Sequence, residues 1–289
     1  MRKTYSILVA YNPIIEELNQ AVDSLKKQTD IVIVCNNSDY DVGFEYEQVK
    51  VFNFGENLGI AKAQSIGMKW AFENGADFIL QMDQDSIPND DLVVKLLECY
   101  EELSQSGYKI GLVGSQNYDK DSLKDSIPKI DKGNLLKNIK YIKINQLISS
   151  GTIISKECYD VVGGMDDDLF IDAVDYEYCW RAIKQGFIVI KNLDAKIAHK
   201  FGNGTKRIFG IEIIIPSPIR HYYQYRNLLL LITRTYVSNY WKITNFGKQF
   251  LKLIFLPLIF DRKKERFMYI CKGIKDGILR KKGRIDIAK

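Results

Sequence analysis

The chain predicts an α/β fold: a Rossmann-like, mostly parallel central sheet flanked by helices, followed by a helical, basic C-terminal extension. Three observations carry this reading. Short β-rich runs alternate with helix-period segments through the first hundred residues. The fourth of these runs ends on a pair of acids. Charge is also divided unevenly, since residues 220–289 hold 17 Lys and Arg against 4 Asp and Glu, a net +13, and residues 1–219 carry a net −8. With 289 residues, 46% of them hydrophobic, the chain can bury one sizeable core or a core plus a smaller appendage.

The strand runs are "YSILVAY", "IVIVC", "VKVFNF" and "DFILQM". Between the first two, Ile14, Leu18, Ala21, Val22 and Leu25 recur at helical spacing. Between the last two, Ile60, Ala63, Ile66, Gly67, Trp70 and Ala71 do the same, and Gly75 stands where a helix C-terminus favours glycine. After "DQDS", Pro88 and Asn89 are expected to open a helix with Asp90 and Asp91 in its first turn and Leu92, Val93, Leu96, Leu97, Tyr100 and Leu103 on its apolar face. "KIGLVGS" reads as a further strand.

Residues 117–146 are rich in Lys, Asp and Asn, which predicts a long surface excursion or irregular hairpin. Order returns with "QLISSGTIIS", a short helix at "KECYDVV", the turn "GGMDDD" and a helix from about Val174 to Gln185 closed by Gly186. No internal repeat or low-complexity tract is evident. These shifts divide the chain at about residues 115 and 219.

Several classes are disfavoured. The five cysteines are scattered and never paired as C-x-x-C, which argues against a disulfide framework or a zinc knuckle and fits a reducing cytoplasm. "MRKTYSILVAYNP" has too short an apolar run for a signal peptide. "FLKLIFLPLIF" is interrupted by Lys252 and Pro257 and falls short of the roughly 20 residues of a spanning helix. Neither a P-loop nor a dinucleotide-binding glycine fingerprint occurs. The basic tail contains no recognisable nucleic-acid motif, so no nucleic-acid partner is expected.

Asp83 and Asp85 follow a strand at i, i+2, where a turning chain lets both carboxylates reach one divalent cation, and hard oxygen ligands suit Mg²⁺ or Mn²⁺. Ligands in open α/β sheets collect beyond the carboxyl ends of strands. On spacing alone, a metal site and a simple turn before a helix account for the pair equally well. A second acidic group, "DDDLFIDAVDYEYCWR", places Asp172, Asp175 and Glu177 at the start of a helix, where the macrodipole favours acids. Their interleaving with Phe170, Ile171, Val174, Tyr178 and Trp180 also suits a half-buried carboxylate raised toward the pKa of a useful base. His199 ends the strand-like "FIVIKNLDAKIAH" and precedes the basic, glycine-containing "KFGNGTKR". It serves either a local hydrogen bond or a cationic lid over a diphosphate.

Taken together, "SILVAYNP", "ENLGIAKAQSIGMKWA", "ADFILQMDQDSIP", "ISSGTIIS", "VVGGMDDDLFIDAVDYEYCWRAIKQG", "AKIAHKFG" and "HYYQYRNLLLL" resemble family 2 inverting glycosyltransferases of the GT-A fold. The "DQDS" and "LFIDAVDYEYCWR" versions most resemble bacterial rhamnosyltransferases. The resemblance spans residues 5–235 and rests on the order and spacing of many segments. It implies a glycosyltransferase domain over 1–219, with a nucleotide-sugar-binding half at 1–115 and an acceptor and catalytic half at 116–219, followed by a helical basic C-terminal region at 220–289.

By this resemblance Asp83, Asp85 and His199 hold the metal, Mg²⁺ or Mn²⁺, and Asp175 is the catalytic base with Asp172 as the second candidate. Ala10, Tyr11, Asn36, Asn57 and Gly59 fall in the nucleotide pocket. Asp83, Glu177, Arg181, Arg220, Tyr223 and Arg226 join the nucleotide-sugar site, and Asn227 lies in the same downstream motif. Where the family has an acid before Asn after the second strand, this chain has Cys35 in "VCNNS". The implied reaction moves L-rhamnose from dTDP-L-rhamnose to a lipid-linked saccharide of a bacterial cell-surface polysaccharide. Galactofuranose, glucose or N-acetylhexosamine transfer, and a non-catalytic nucleotide-sugar-binding protein, are the alternatives.

The tail "NFGKQFLKLIFLPLIFDRKKERF" mixes aromatic and aliphatic residues with cations. Over residues 240–289 this pattern fits a helix on an anionic membrane surface, and equally a docking or homodimer helix with a solvated basic face. The expected location is cytoplasmic, peripheral on the inner face of the cell membrane.

Overall fold

The computed structural model describes residues 2–119, 134–136, 140–199, 205–208, 211–214, 216–259 and 261–286. Its first half is a parallel α/β layer. Strands β1 (Thr4–Ala10), β2 (Ile31–Asn36), β3 (Val49–Asn53) and β4 (Phe78–Asp83) align in the order β3-β2-β1-β4. Helices α1 (Ile15–Lys26) and α2 (Ile60–Glu73) make the crossovers. β1, β2 and β4 are buried almost throughout, as strands covered on both faces must be.

Side-chain alternation sorts the strand residues into two cores. Ile7, Ile33, Cys35 and Ile79 pack with Ala63, Met68 and Ala71 of α2 on one side. Leu8, Val32, Val34 and Leu80 pack with Leu18, Val22 and Leu25 of α1 on the other.

Beyond β4 the chain turns at Gln84 and Asp85 into a two-residue strand, β5 (Ile87–Pro88), before α3 (Leu92–Gln105). The expected helix therefore begins later than Pro88. Pro88 and Ile87 pair instead with Ile197 and Ala198 of β10 (Ile188–His199), and Asn89 donates its N–H to Lys196 O at 3.3 Å. β6 (Ile110–Asp119) runs parallel to β10. Part of the expected excursion is thus sheet, because β6 continues to Asp119 and β7 (Asn134–Leu136) pairs with β8 (Tyr141–Ile144). Its residues 120–133 and 137–139 lie outside the described residues.

β9 (Thr152–Ser155) is inserted antiparallel between β4 and β6, giving the order β3-β2-β1-β4-β9-β6-β10-β8-β7. The parallel character of the sheet therefore belongs mainly to its first four strands. α4 (Lys156–Val162) and α5 (Val174–Lys184) pack on the α2 side. A hairpin, β11 (Thr205–Ile208) with β12 (Ile211–Ile214), precedes three helices, α6 (Pro218–Ile232), α7 (Asn239–Ile259) and α8 (Lys263–Ile278). The α6–α7 region contributes Leu228, Leu231, Val237 and Trp241 to the sheet's own core, so the basic region is built onto the α/β body. Residues 200–204 of the basic loop lie outside the described residues. All five cysteines are free, and only Cys271 is exposed.

Candidate active site

The parallel strands end together, and the residues at those ends are pinned to one another. Tyr11, half exposed just beyond Ala10, donates its N–H to Gln84 Oε1 at 2.6 Å, and its carbonyl accepts from Gln84 Nε2 at 3.3 Å. The glutamine between the two acids thus ties the β4 turn to the end of β1. Asn36 donates to Tyr40 O at 2.6 Å and to Asn53 Oδ1 at 2.9 Å, and its own oxygen accepts from Ser38 N. Asn37 bridges to Gly59 O and Leu58 N, and Asn57 Oδ1 accepts from Gly59 N at 2.9 Å. These contacts shape a rim between the first three strand ends and the start of α2.

Asp83 ends β4, and both it and Asp85 are half-buried. The turn before β9 links this acid to the second acidic group. Ser150 Oγ accepts from Asp83 N at 3.2 Å, and Ser149 N donates to the Asp175 carboxyl. Gly151 makes that turn possible, with φ +75° and a Cβ position only 2.1 Å from Ser115 Oγ. Burial pushes the Asp175 carboxyl up to about 7, and the nearby Asp83 charge adds to the rise against the opposing N–H donors of Tyr176 and Ser149. Asp83 and Asp175, 92 positions apart in the sequence, therefore lie in one another's electrostatic field.

Arg220, at the start of α6, closes the rim. Its Nη2 lies 2.6 Å from Asp172 Oδ1, and the guanidinium is held above its ordinary value first by Asp172 and then by Asp175 and Asp83. Asp172 sits in a contorted loop in which Phe170, Asp172 and Ala173 all have positive φ, at 62°, 69° and 64°. Such residues cost about 1–3 kcal/mol each unless their surroundings over-determine them.

Here the surroundings do so. Asn227 Nδ2 lies within hydrogen-bonding distance of three carbonyls, Leu169 O, Ile171 O and Asp172 O, at 3.0, 2.7 and 2.9 Å. Arg226 donates to Asp168 O, Leu169 O and Asn227 Oδ1. Phe170 stacks on Tyr223 with centroids 5.0 Å apart and seats its ring over Gly59.

The structure thus brings Asp83, Asp172, Asp175 and Arg220 together and places other expected site residues elsewhere. Glu177 is 1% exposed, with its carboxylate engaged by Arg181 at 2.9 Å, Arg234 at 3.3 Å and the Tyr236 hydroxyl at 2.6 Å. Arg181 also donates to Val162 O and Gly164 O. Arg226 is fully buried and Tyr223 nearly so, the latter accepting from Ile285 N at 3.1 Å. Their polar atoms are occupied by the protein itself. His199 closes β10 opposite Asp119, next to the β5 pairing, but its side chain lies outside the described residues. Ser149, Ser150 and Asn37 are contacts that sequence reasoning did not single out, although Gly151 in "SSGT" marks the turn.

For a divalent cation, Asp83 and Asp85 offer hard oxygens at a strand end. Among the described residues no three potential ligands cluster. A pair of carboxylates fits Mg²⁺ or Mn²⁺ habits, in which substrate phosphates and water complete the shell.

The glycosyl transferase family 2 model matches residues 6–163. The dTDP-rhamnosyl transferase RfbF of Shigella flexneri is 36% identical over 281 residues, covering 93% of this chain and 92% of that one. An uncharacterised protein of Mycobacterium tuberculosis is 28% identical over 187 residues, 63% of this chain and 68% of its own. Among solved structures, Staphylococcus aureus TarS superposes with a TM-score of 0.58 at 15% identity, over 96% of this chain and 49% of that one. GalNAc-T7, solved with UDP, GalNAc and Mn²⁺, gives 0.55 at 14% identity, over 96% of this chain and 56% of that one. The chain spans about half the length of these two solved proteins, and at such identities the likeness speaks for the fold. Family model and full-length relative together establish that the chain belongs to glycosyl transferase family 2, on the GT-A fold, among its rhamnosyltransferase-like members.

Proposed function

We propose that the protein is an inverting, metal-dependent transferase that moves L-rhamnose from dTDP-L-rhamnose to a hydroxyl of a lipid-linked saccharide in cell-surface polysaccharide synthesis, working as a peripheral protein on the inner face of the membrane. The observation that carries the chemistry is the convergence of Asp175, raised to about 7, with Asp83 at the strand-end rim. The donor assignment is supported by the near-full-length likeness to RfbF. Residues 1–115 then hold the donor, and residues 116–219 supply the catalytic groups.

In this reading Asp175 takes the proton of the acceptor hydroxyl as its oxygen bonds the anomeric carbon and the carbon–oxygen bond to the diphosphate breaks on the opposite face. A base whose pKa lies near the working pH combines adequate ionisation with proton affinity. Asp83 and Asp85, with His199, would hold Mg²⁺ or Mn²⁺, which when bound offsets charge on the departing diphosphate. Arg220, already in the field of all three acids, stands where a donor phosphate could exchange for Asp172. Glu177, Arg181, Arg226 and Tyr223 serve by holding the loop and helix that carry Asp172 and Asp175, while Ala10, Tyr11, Asn36, Asn57 and Gly59 form the base and ribose side of the pocket.

A panel of nucleotide sugars, scored by nucleoside diphosphate release with and without Mg²⁺ or Mn²⁺, tests the reading. The fastest release is expected from dTDP-L-rhamnose with metal. Faster release from a UDP-sugar would replace the donor assignment, and equal release in chelator would remove the metal.

A further inference from the structure

α7 has two unlike faces. Toward the protein, Trp241 packs edge-on against Trp180 with centroids 4.9 Å apart, Gln249 O accepts from the Tyr225 hydroxyl at 2.7 Å, and Lys242 Nζ donates to Arg234 O at 2.7 Å. On the other side Tyr240, Ile243, Phe246, Phe250, Leu251 and Ile254 are each 50% to 74% exposed. At 3.6 residues per turn these six fall within one arc of about 140° and run about 20 Å along the axis. Singly exposed apolar residues need no explanation, but a continuous stripe of six does.

The adjoining helix adds a mixed face. On α8 and its C-cap, Phe267, Met268, Ile278 and Leu279 are also more than half exposed, and Lys264 and Lys275 lie exposed on the same side. Apolar side chains interleaved with ammonium groups match a bilayer interface, where rings enter the acyl boundary and cations meet anionic headgroups. A second copy of this surface is the poorer occupant, because it would bring one +13 region against another. No helix among the described residues is long and apolar enough to cross a membrane, and the stripe occupies one face only. That is the pattern of a helix lying in the interface plane.

The inner face of α7 points the same way. Lys252, half-buried there, lies in the electrostatic field of Asp172 and Arg220. The side of α7 opposite the stripe therefore lies toward the acidic rim.

We propose that the outer face of α7, residues Tyr240 to Ile254, docks the protein on an anionic lipid bilayer, with the exposed lysines of α8 assisting. Its use in presenting an acceptor rests on the lipid-linked acceptor proposed above, whereas the docking itself rests on α7 alone.

The full chain is tested by sedimentation with vesicles of phosphatidylcholine, with or without phosphatidylglycerol. Binding is expected with phosphatidylglycerol and at least about tenfold weaker without it. The double variant Phe246→Glu/Phe250→Glu should lose binding about tenfold or more while keeping the wild-type circular dichroism spectrum and diphosphate release with a water-soluble acceptor. A second measurement leaves both rings intact: a polarity-sensitive dye on Ile243→Cys, in a chain carrying Cys271→Ser, should shift to the blue when phosphatidylglycerol vesicles are added.

Unchanged binding by the double variant, an unshifted dye, or a wild-type dimer that the variant dissociates would each overturn the proposal. Vesicle binding without sugar transfer to any acceptor would sustain the docking face and remove the transfer reading.

Discussion

Arg220 grips Asp172 with Nη2 2.6 Å from Oδ1 at the rim of the acidic pocket, while Asp83 and Asp175 lie in the same field. This pairing separates the two candidate bases. The Asp172 oxygens are taken up by the Arg220 guanidinium, whereas Asp175 is bonded by backbone N–H groups and burial raises its carboxyl to about 7. Asp175→Asn is therefore expected to lower turnover by about 10²- to 10⁴-fold, and Asp172→Asn by much less. Arg220→Ala should act mainly on donor KM. Steady-state kinetics with both substrates varied decides it, and an Asp172→Asn loss as deep as that of Asp175→Asn would reverse the assignment.

The raised carboxyl also predicts a dependence on pH in the metal-free protein. In the unfolded chain Asp175 ionises near 3.9, and in the fold near 7, so between these values the folded state holds a proton that the unfolded state has lost. Stability relative to Asp175→Asn should therefore fall as pH rises from about 4 to 7 and level off above. Urea denaturation of both proteins across this range measures the difference. Carboxyl NMR should place the Asp175 titration near 7 and move it downward in Asp83→Asn, since the Asp83 charge raises it.

Much of this was legible from sequence because it is periodic or local. Runs such as "YSILVAY" and "DFILQM" are apolar throughout because both faces are covered, and Leu18, Ala21, Val22 and Leu25 show the helix face that covers one of them. Asp83, Asp85 and Asp175 stood out by position at element ends.

What was not legible is long-range. Nothing near Glu177 in the sequence announces Arg234 and Tyr236, and nothing near Asn227 announces three carbonyls more than fifty residues away. A charged residue inside a motif reads as a ligand contact until its partners are known, and for Glu177 and Arg226 those partners come from the fold itself.

Glu177 supplies a prediction of stability. Its carboxylate, 1% exposed, joins Arg181, Arg234 and Tyr236, and Arg234 also pairs with Asp166. Removing one partner from such a buried network leaves cations uncompensated, which typically costs about 3–5 kcal/mol. Glu177→Gln should show a loss of that order in chemical denaturation, while the protein that remains folded keeps donor affinity within a few-fold. A stable variant with selectively lost donor binding would instead make Glu177 a ligand residue.

The contorted loop at 170–173 gives the sharpest test of how the site is held, because two separate contacts brace it. In the first, Asn227 spreads its amide over the Leu169, Ile171 and Asp172 carbonyls. In the second, Gly59, with φ +84°, lets the Phe170 ring approach so closely that a Cβ there would lie 2.5 Å from it. Asn227→Ala removes the first brace and takes that donor from the Ile171 and Asp172 carbonyls, at about 1–3 kcal/mol. Gly59→Ala drives the ring, and the loop with it, out of place. Neither change touches Asp175, yet both displace the chain that leads into its helix, and misplacement by about 1 Å can cost about 10²-fold in rate. Both variants are expected to lower kcat by about 10- to 100-fold while leaving the kinetic pKa of the base within a few tenths of wild type. If the braces mattered only to folding, activity per folded molecule would be unchanged. A matched fall in kcat from two residues that hold one loop by different contacts is what positioning, and not stability, predicts.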